Sequence, residues 1–161
     1  MAGSKSDYLE LKVLDAIFNG QAWSTISNVY IALFTGTLTG DTPGTEVTGG
    51  SYARVSTAPS DWAAASSGSI TNSGTITFPA PTANWGTVTH FGAFDASSAG
   101  NAFYYGDLTV SRVINNGDGA PSFAASAITA EPNAATRQVA TNTAPGSMPV
   151  VPRMSGLTKT M

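Results

Sequence analysis

From Val29 to Ile128 the chain alternates short runs of β-formers with clusters of Gly, Asn, Asp and Pro. This punctuation, more than any motif, decides what the chain can fold into. Each run has the length of a strand and is too short for an ordinary helix. Val29-Tyr30-Ile31-Ala32-Leu33-Phe34 is almost wholly apolar, which predicts a central strand buried on both faces, or one lying under a helix. Glu46-Val47-Thr48 and Tyr52-Ala53-Arg54-Val55 read as short strands flanking Gly49-Gly50, and Thr75-Ile76-Thr77-Phe78 as another. Gly49-Gly50 reads as backbone punctuation, positions of positive φ or close approach. Residues 88–94 and 103–110 predict a hairpin about the turn Ser97-Ser98-Ala99-Gly100-Asn101. In its first strand, alternation puts Val88, His90, Gly92 and Phe94 on one side and Thr89, Phe91 and Ala93 on the other. A last strand is expected within 122–128. Six to eight such strands, about, define a mainly β class: an antiparallel β-sandwich or jelly roll.

The two ends break this pattern. Residues 4–19 predict one helix, with a capping box at Ser4-Lys5-Ser6-Asp7 and Gly20 as the residue that stops it. Its apolar face is Leu9, Val13, Leu14, Ile17 and Phe18, with Lys12 and Asp15 opposite. Such a face packs on the helix's own domain or on a partner. Residues 132–161 carry four prolines, three methionines, Arg137, Arg153 and Lys159, with no aromatic and no acidic residue. That composition supplies no core, so the segment needs another surface if it is to be ordered. The organisation expected is an N-terminal helix over 1–20, a β body over 21–131 and an extended C-terminal arm over 132–161. Partner contacts are expected from Met148, Met154 and Leu157 as apolar anchors and from Arg137, Arg153 and Lys159 as ionic ones.

Charged residues make up 11% of the chain, well below the usual quarter. A surface so weakly charged suits a subunit covered by its neighbours. Residues 1–131 hold four cations against ten carboxylates, a net of −6, whereas the arm is +3. The arm therefore complements acidic protein surfaces, its own body included. Nucleic acid is not expected as a partner, because three cations over thirty residues form no cluster and no aromatic interleaves them. With no cysteine, disulfides and thiolate chemistry are excluded. No signal-peptide run opens the sequence and no stretch approaches the length of a membrane span. Synthesis in the host cytoplasm, without a membrane partner, is the expectation.

No catalytic, cofactor-binding or metal-binding set is expected. His90 is the only histidine and reads as a hydrogen-bonded residue of the body. A Ser-His-Asp triad would need it, yet no nucleophile elbow accompanies it. Asp95, Asp107 and Asp118 fall near strand ends without calcium-loop spacing and read as loop acids. Trp23, Trp62 and Trp85 read as anchors for loops, with a sugar-binding platform as the alternative. Arg54 and Arg112 are expected to pair with a body carboxylate or to contact a neighbour.

Taken in order, several stretches carry a family likeness: Tyr30-Ile31-Ala32-Leu33-Phe34-Thr35, Gly44-Thr45-Glu46-Val47, Gly49-Gly50-Ser51-Tyr52-Ala53-Arg54, Trp85-Gly86-Thr87-Val88-Thr89-His90-Phe91-Gly92-Ala93-Phe94-Asp95 and Gly100-Asn101-Ala102-Phe103-Tyr104-Tyr105-Gly106. Over roughly Asp7 to Ile128 the chain resembles a family of small structural proteins of tailed bacteriophages. Members are often labelled tail fibre proteins, and similar proteins serve as head decoration, or cement, proteins. The resemblance implies a non-enzymatic virion component and brings no catalytic residues. The arm lies beyond it. With the basic arm added, the expectation is a cement protein on the outer capsid surface. It would form a homo-oligomer and bridge subunits of the major capsid protein through its arm. The alternative is a tail or tail-fibre component that meets the host surface, with host glycan as a partner.

Overall fold

The computed structural model describes residues 3–37 and 44–131. The arm residues Arg137, Met148, Arg153, Met154, Leu157 and Lys159 lie outside them. In chain order the elements are β1 (Gly3–Lys5), α1 (Asp7–Phe18), β2 (Val29–Thr35), β3 (Thr45–Glu46), β4 (Val55–Thr57), a 3-10 turn (Pro59–Asp61), β5 (Ile70–Thr71), β6 (Ile76–Thr77), β7 (Gly86–Phe94), β8 (Ala102–Ile114), β9 (Ser122–Phe123) and β10 (Thr129–Ala130). The described residues are thus mainly β with one α-helix near their start, and every strand pairing among them is antiparallel.

Six strands form the main sheet, in the order β1-β8-β7-β2-β3, with β4 also paired to β2. The apolar run became β2, and its Ile31, Ala32, Leu33 and Phe34 are all buried. Alternate residues therefore face opposite sides of the sheet and both sides are covered. Two small ladders, β6–β9 and β10–β5, supply part of the layer over one face. There Ile31, Leu33, Phe91 and Tyr104 meet Ile76, Phe78, Trp85 and Ile128. The Phe123 ring of β9 packs edge-on to Phe91 at 5.7 Å and to Phe78 at 6.2 Å. Each such buried side chain contributes about 1.5–3 kcal/mol.

The opposite face is closed differently. Phe34, Phe94 and Tyr105 are buried together with Ala32 and Ala102, and their rings converge over Gly92. A Cβ at Gly92 would sit 2.7 Å from Phe94, 3.1 Å from Phe34 and 3.3 Å from Tyr105. The glycine is the floor on which three aromatic rings lie.

Three differences from the sequence expectation have local causes. First, the alternation over β7 breaks between Val88 and His90. Val88 pairs with Arg112 while His90 pairs with Asp107, so residues 108–111 of β8 stand opposite Thr89 alone. This bulge puts Val88 in the core with Phe91, whereas His90 keeps the register of Phe34. A period-two reading cannot see a bulge. Second, of the strand expected within 122–128 only Ser122–Phe123 forms, as β9, and the next strand, β10, starts beyond it at Thr129. A tight turn separates them, with Ser126 at φ 61 and Ala127 N–H donating to Ala124 O at 3.1 Å. Third, the helix cap falls two residues later than predicted, at Ser6 rather than Ser4, because residues 3–5 are spent as β1 on the edge of β8.

Candidate interaction surface

Ser6 fastens α1 to the sheet. Its N–H donates to Phe103 O at 3.0 Å, its Oγ accepts from Leu9 N–H at 3.2 Å, and its hydroxyl donates to Ala102 O. One side chain thereby caps the helix and ties it to β8. The helix ends at Asn19, followed by Gly20 at φ 64, the left-handed position that glycine tolerates. Packing against the body is confined to the first turn. The Tyr8 ring lies 6.2 Å from Phe103, and Leu9 joins the core cluster. Beyond it, Leu11, Leu14, Ile17 and Phe18 are 62%, 51%, 67% and 78% exposed. Leu11, Leu14 and Phe18 follow the i, i+3, i+7 spacing of a single stripe. No described residue covers it. The first turn thus packs at home, and the last two turns present apolar side chains outward.

Beside the first turn of α1 lies an apolar pocket of about 530 Å³, within the range of ordinary ligand pockets. Leu9, Ile26, Trp62, Ile70, Phe103 and Tyr104 form its walls. The Trp62 indole is held in place by Nε1–H donating to Thr57 Oγ1 at 3.0 Å. Lys5 and Glu131, near the two ends of the described chain, also line the pocket. The Tyr104 hydroxyl stands at the Glu131 end. It donates to Thr129 O at 3.4 Å and accepts from Glu131 N–H at 3.5 Å. Burial pushes its ionisation above the ordinary tyrosine value.

The side chains singled out in the sequence are employed separately. His90 is 8% exposed. Its Nε2 meets Asp107 Oδ1 at 2.9 Å and its Nδ1 meets Thr89 Oγ1 at 2.7 Å, so the imidazole braces the β7–β8 pairing beside the bulge. Asp95 accepts from Asn101 N–H at 2.7 Å and from its amide at 2.8 Å in the hairpin turn. Asp118 accepts from Asn115 N–H at 2.7 Å in the turn after β8. The three aspartates thus serve three places, and the described residues contain no cluster able to hold a metal. Trp85 Nε1–H donates to Gly50 O at 3.0 Å, while Trp23 packs 6.4 Å from Phe103. The indoles are anchors at distinct sites. Gly49 and Gly50 adopt φ 72 and 53, and a Cβ at Gly50 would meet Ala83 Cβ at 2.8 Å, which is the close approach the sequence implied.

Arg54 found its carboxylate. Its guanidinium grips Glu46 with two hydrogen bonds, at 2.8 and 2.7 Å, and donates to Ala96 O and Ala99 O at 2.9 Å each. It also lies 3.9 Å above the Phe94 ring. The bond to Glu46 raises its already high pKa. Tyr52 completes the group. Its hydroxyl donates to Glu46 at 3.1 Å and accepts from Leu33 N–H at 2.9 Å, and burial drives its ionisation well above the ordinary range. Arg112, in contrast, has no ion pair among the described residues.

One feature escaped the sequence reading and another was read only in part. The pocket unites α1, the Trp62 loop and β8, which no local pattern connects. The outward stripe did leave a sign: with Tyr8, Leu9, Leu11, Val13, Leu14, Ile17 and Phe18, α1 is apolar over more of its girth than one buried face requires. Among the described residues no helix is long and apolar enough to cross a membrane.

No curated protein matches the chain. Residues 4–131 match the family model described as Podophage GP4 fiber I protein gp80. That match runs from β1 through the helix, the sheet and both small ladders, and stops where the arm begins. With four-fifths of its length matched, about, the chain belongs to the Gp80 family of phage structural proteins.

Proposed function

We propose that the protein is a non-enzymatic tail-fibre subunit that assembles by burying the outer stripe of α1 against a second copy of itself. The carrying observation is that Leu11, Leu14, Ile17 and Phe18 are exposed on a helix whose start is hydrogen-bonded to the sheet. A stripe at i, i+3, i+7 spacing is self-complementary, since like helices interlock through such positions. Twelve residues are too few to hold a helical pair on their own, so the sheet behind α1 must supply the rigidity. The family description, a fibre protein, supports the tail as the location. His90, the residue an acid–base mechanism would need first, is engaged in two structural hydrogen bonds.

Sedimentation velocity on the full chain tests the assembly. The wild type is expected as an oligomer, and Leu14→Glu with Phe18→Glu as a folded monomer; an unchanged oligomeric mass in that variant defeats the reading. Gold-labelled antibody on virions tests the location, with label at the tail expected.

A second reading has its own observation. The body is acidic and the arm basic, the arrangement for a cement protein that straps neighbouring major capsid subunits. The arm reaches about 100 Å when fully extended. Label on the head, together with loss of capsid binding on deletion of 132–161, would favour this reading over the first.

A further inference from the structure

The arm holds a motif that neither reading uses. Pro149-Val150-Val151-Pro152 is a P-x-x-P unit, flanked by Met148 and followed by Arg153 and Met154. P-x-x-P segments favour the polyproline II conformation and dock in grooves walled by aromatic side chains, at little entropic cost. The described chain contains such a groove: the pocket of about 530 Å³ with Trp62, Phe103 and Tyr104 in its walls. We propose that this pocket is the seat of the chain's own residues 148–154, with Pro149 to Pro152 against the aromatic walls.

Three observations fix the choice of occupant. The described chain ends at the site, since Ala130 and Glu131 line the pocket, so the segment is tethered at the rim. The sixteen residues 132–147 separate the rim from the motif; they reach about 50 Å at full extension, ample for a return to the starting point. A tether of this length holds its end at an effective concentration of about a millimolar around the pocket, which favours the chain's own segment over a neighbour's. Charge agrees as well. The segment is basic through Arg153 and carries no acid, while Glu131 stands at the rim of a body with net charge −6. Lys5 also lines the pocket, and a like charge disfavours Arg153 beside it.

The proposal concerns the arm and is independent of the self-association through α1, so the two can fail separately. The absence of cysteine gives a clean test in the full chain. Ala63, exposed at the pocket, is replaced by cysteine together with Ser155→Cys, just past the motif. A control pairs Ser155→Cys with Asn116→Cys, an exposed position in the turn after β8, at the far end of the β7–β8 hairpin from the pocket. The expected result is intramolecular disulfide formation at least tenfold faster for the pocket pair than for the control. Adding Val150→Asp and Val151→Asp should bring the pocket pair down to the control rate. Equal rates for the two pairs overturn the proposal, as does a fast pocket pair that the aspartates leave unchanged. A covalent dimer as the main product also overturns it, and assigns the pocket to a neighbour's arm.

Discussion

The turn end of the β7–β8 hairpin and the helix α1 treat their side chains in opposite ways. At the hairpin end, Arg54 is committed to Glu46, to two carbonyls and to a ring face, and Asp95 caps the turn beside it. On α1, one turn is fastened and the rest of the apolar surface faces outward. The contrast separates stability from assembly. Where every polar atom and ring has a partner at home, substitution should cost folding free energy; where the partner is absent, it should cost association and little else.

Truncation of the core ring is the harshest test of that division. Phe91→Ala removes a side chain packed on both Tyr104 and Phe123. It is expected to lower the unfolding free energy by about 3–5 kcal/mol in urea titrations. Next comes Arg54→Ala, which leaves Glu46 without its cation and should cost about 3 kcal/mol. Arg54→Lys should recover only part of the loss, since an ammonium cannot reproduce the two-pronged grip. If both variants unfold like the wild type, the hairpin end is not the rigid region described.

Tyr52→Phe has a smaller effect with a distinctive pH signature. Near neutrality the loss should be about 1 kcal/mol, for the hydrogen bonds of one hydroxyl. Burial raises the ionisation of Tyr52 above its ordinary value of 10.0, so the folded state keeps a proton that the unfolded chain releases. Stability must therefore fall as pH rises above about 10. In the phenylalanine variant this alkaline fall should be shallower, though not abolished, because Tyr104 is shifted in the same direction. Urea midpoints at pH 8, 10 and 11 measure the difference.

The smallest stability effect is expected where the change looks most drastic. Leu14→Glu places a charge on the exposed stripe and should alter unfolding by no more than about 0.5 kcal/mol. A loss of several kcal/mol would mean that α1 packs at home after all, and the comparison between the two regions would collapse.

How much of this was legible in the sequence follows from the range of each signal. The run from Val29 to Phe34 announced β2 because burial on both faces needs no partner information. Gly49-Gly50 announced a tight passage because backbone freedom is a local property. Arg54 announced that it needed a carboxylate or a neighbour, but eight residues separate it from Glu46, and the two meet only because β3 and β4 both pair with β2. The position of the helix cap was lost for a similar reason: Ser4 and Ser6 look alike until β1 pairs with β8 and occupies the first of them. The bulge opposite Thr89 and the walls of the pocket depend on pairings between distant segments, and these take shape only in the folded chain.

Tyr104 gives a last consequence. Its backbone pairs with Lys5 at one end of the described chain, and its hydroxyl bonds to Thr129 and Glu131 at the other. A tension applied between the two ends would run through the β1–β8 pairing, this residue and the β10–β5 ladder. The β2–β7 pairing and the β6–β9 ladder would remain outside the loaded circuit. In a particle that is pulled and sheared, the subunit would then behave as a bead clipped onto a cord, with the load carried along the cord while the bead keeps its shape.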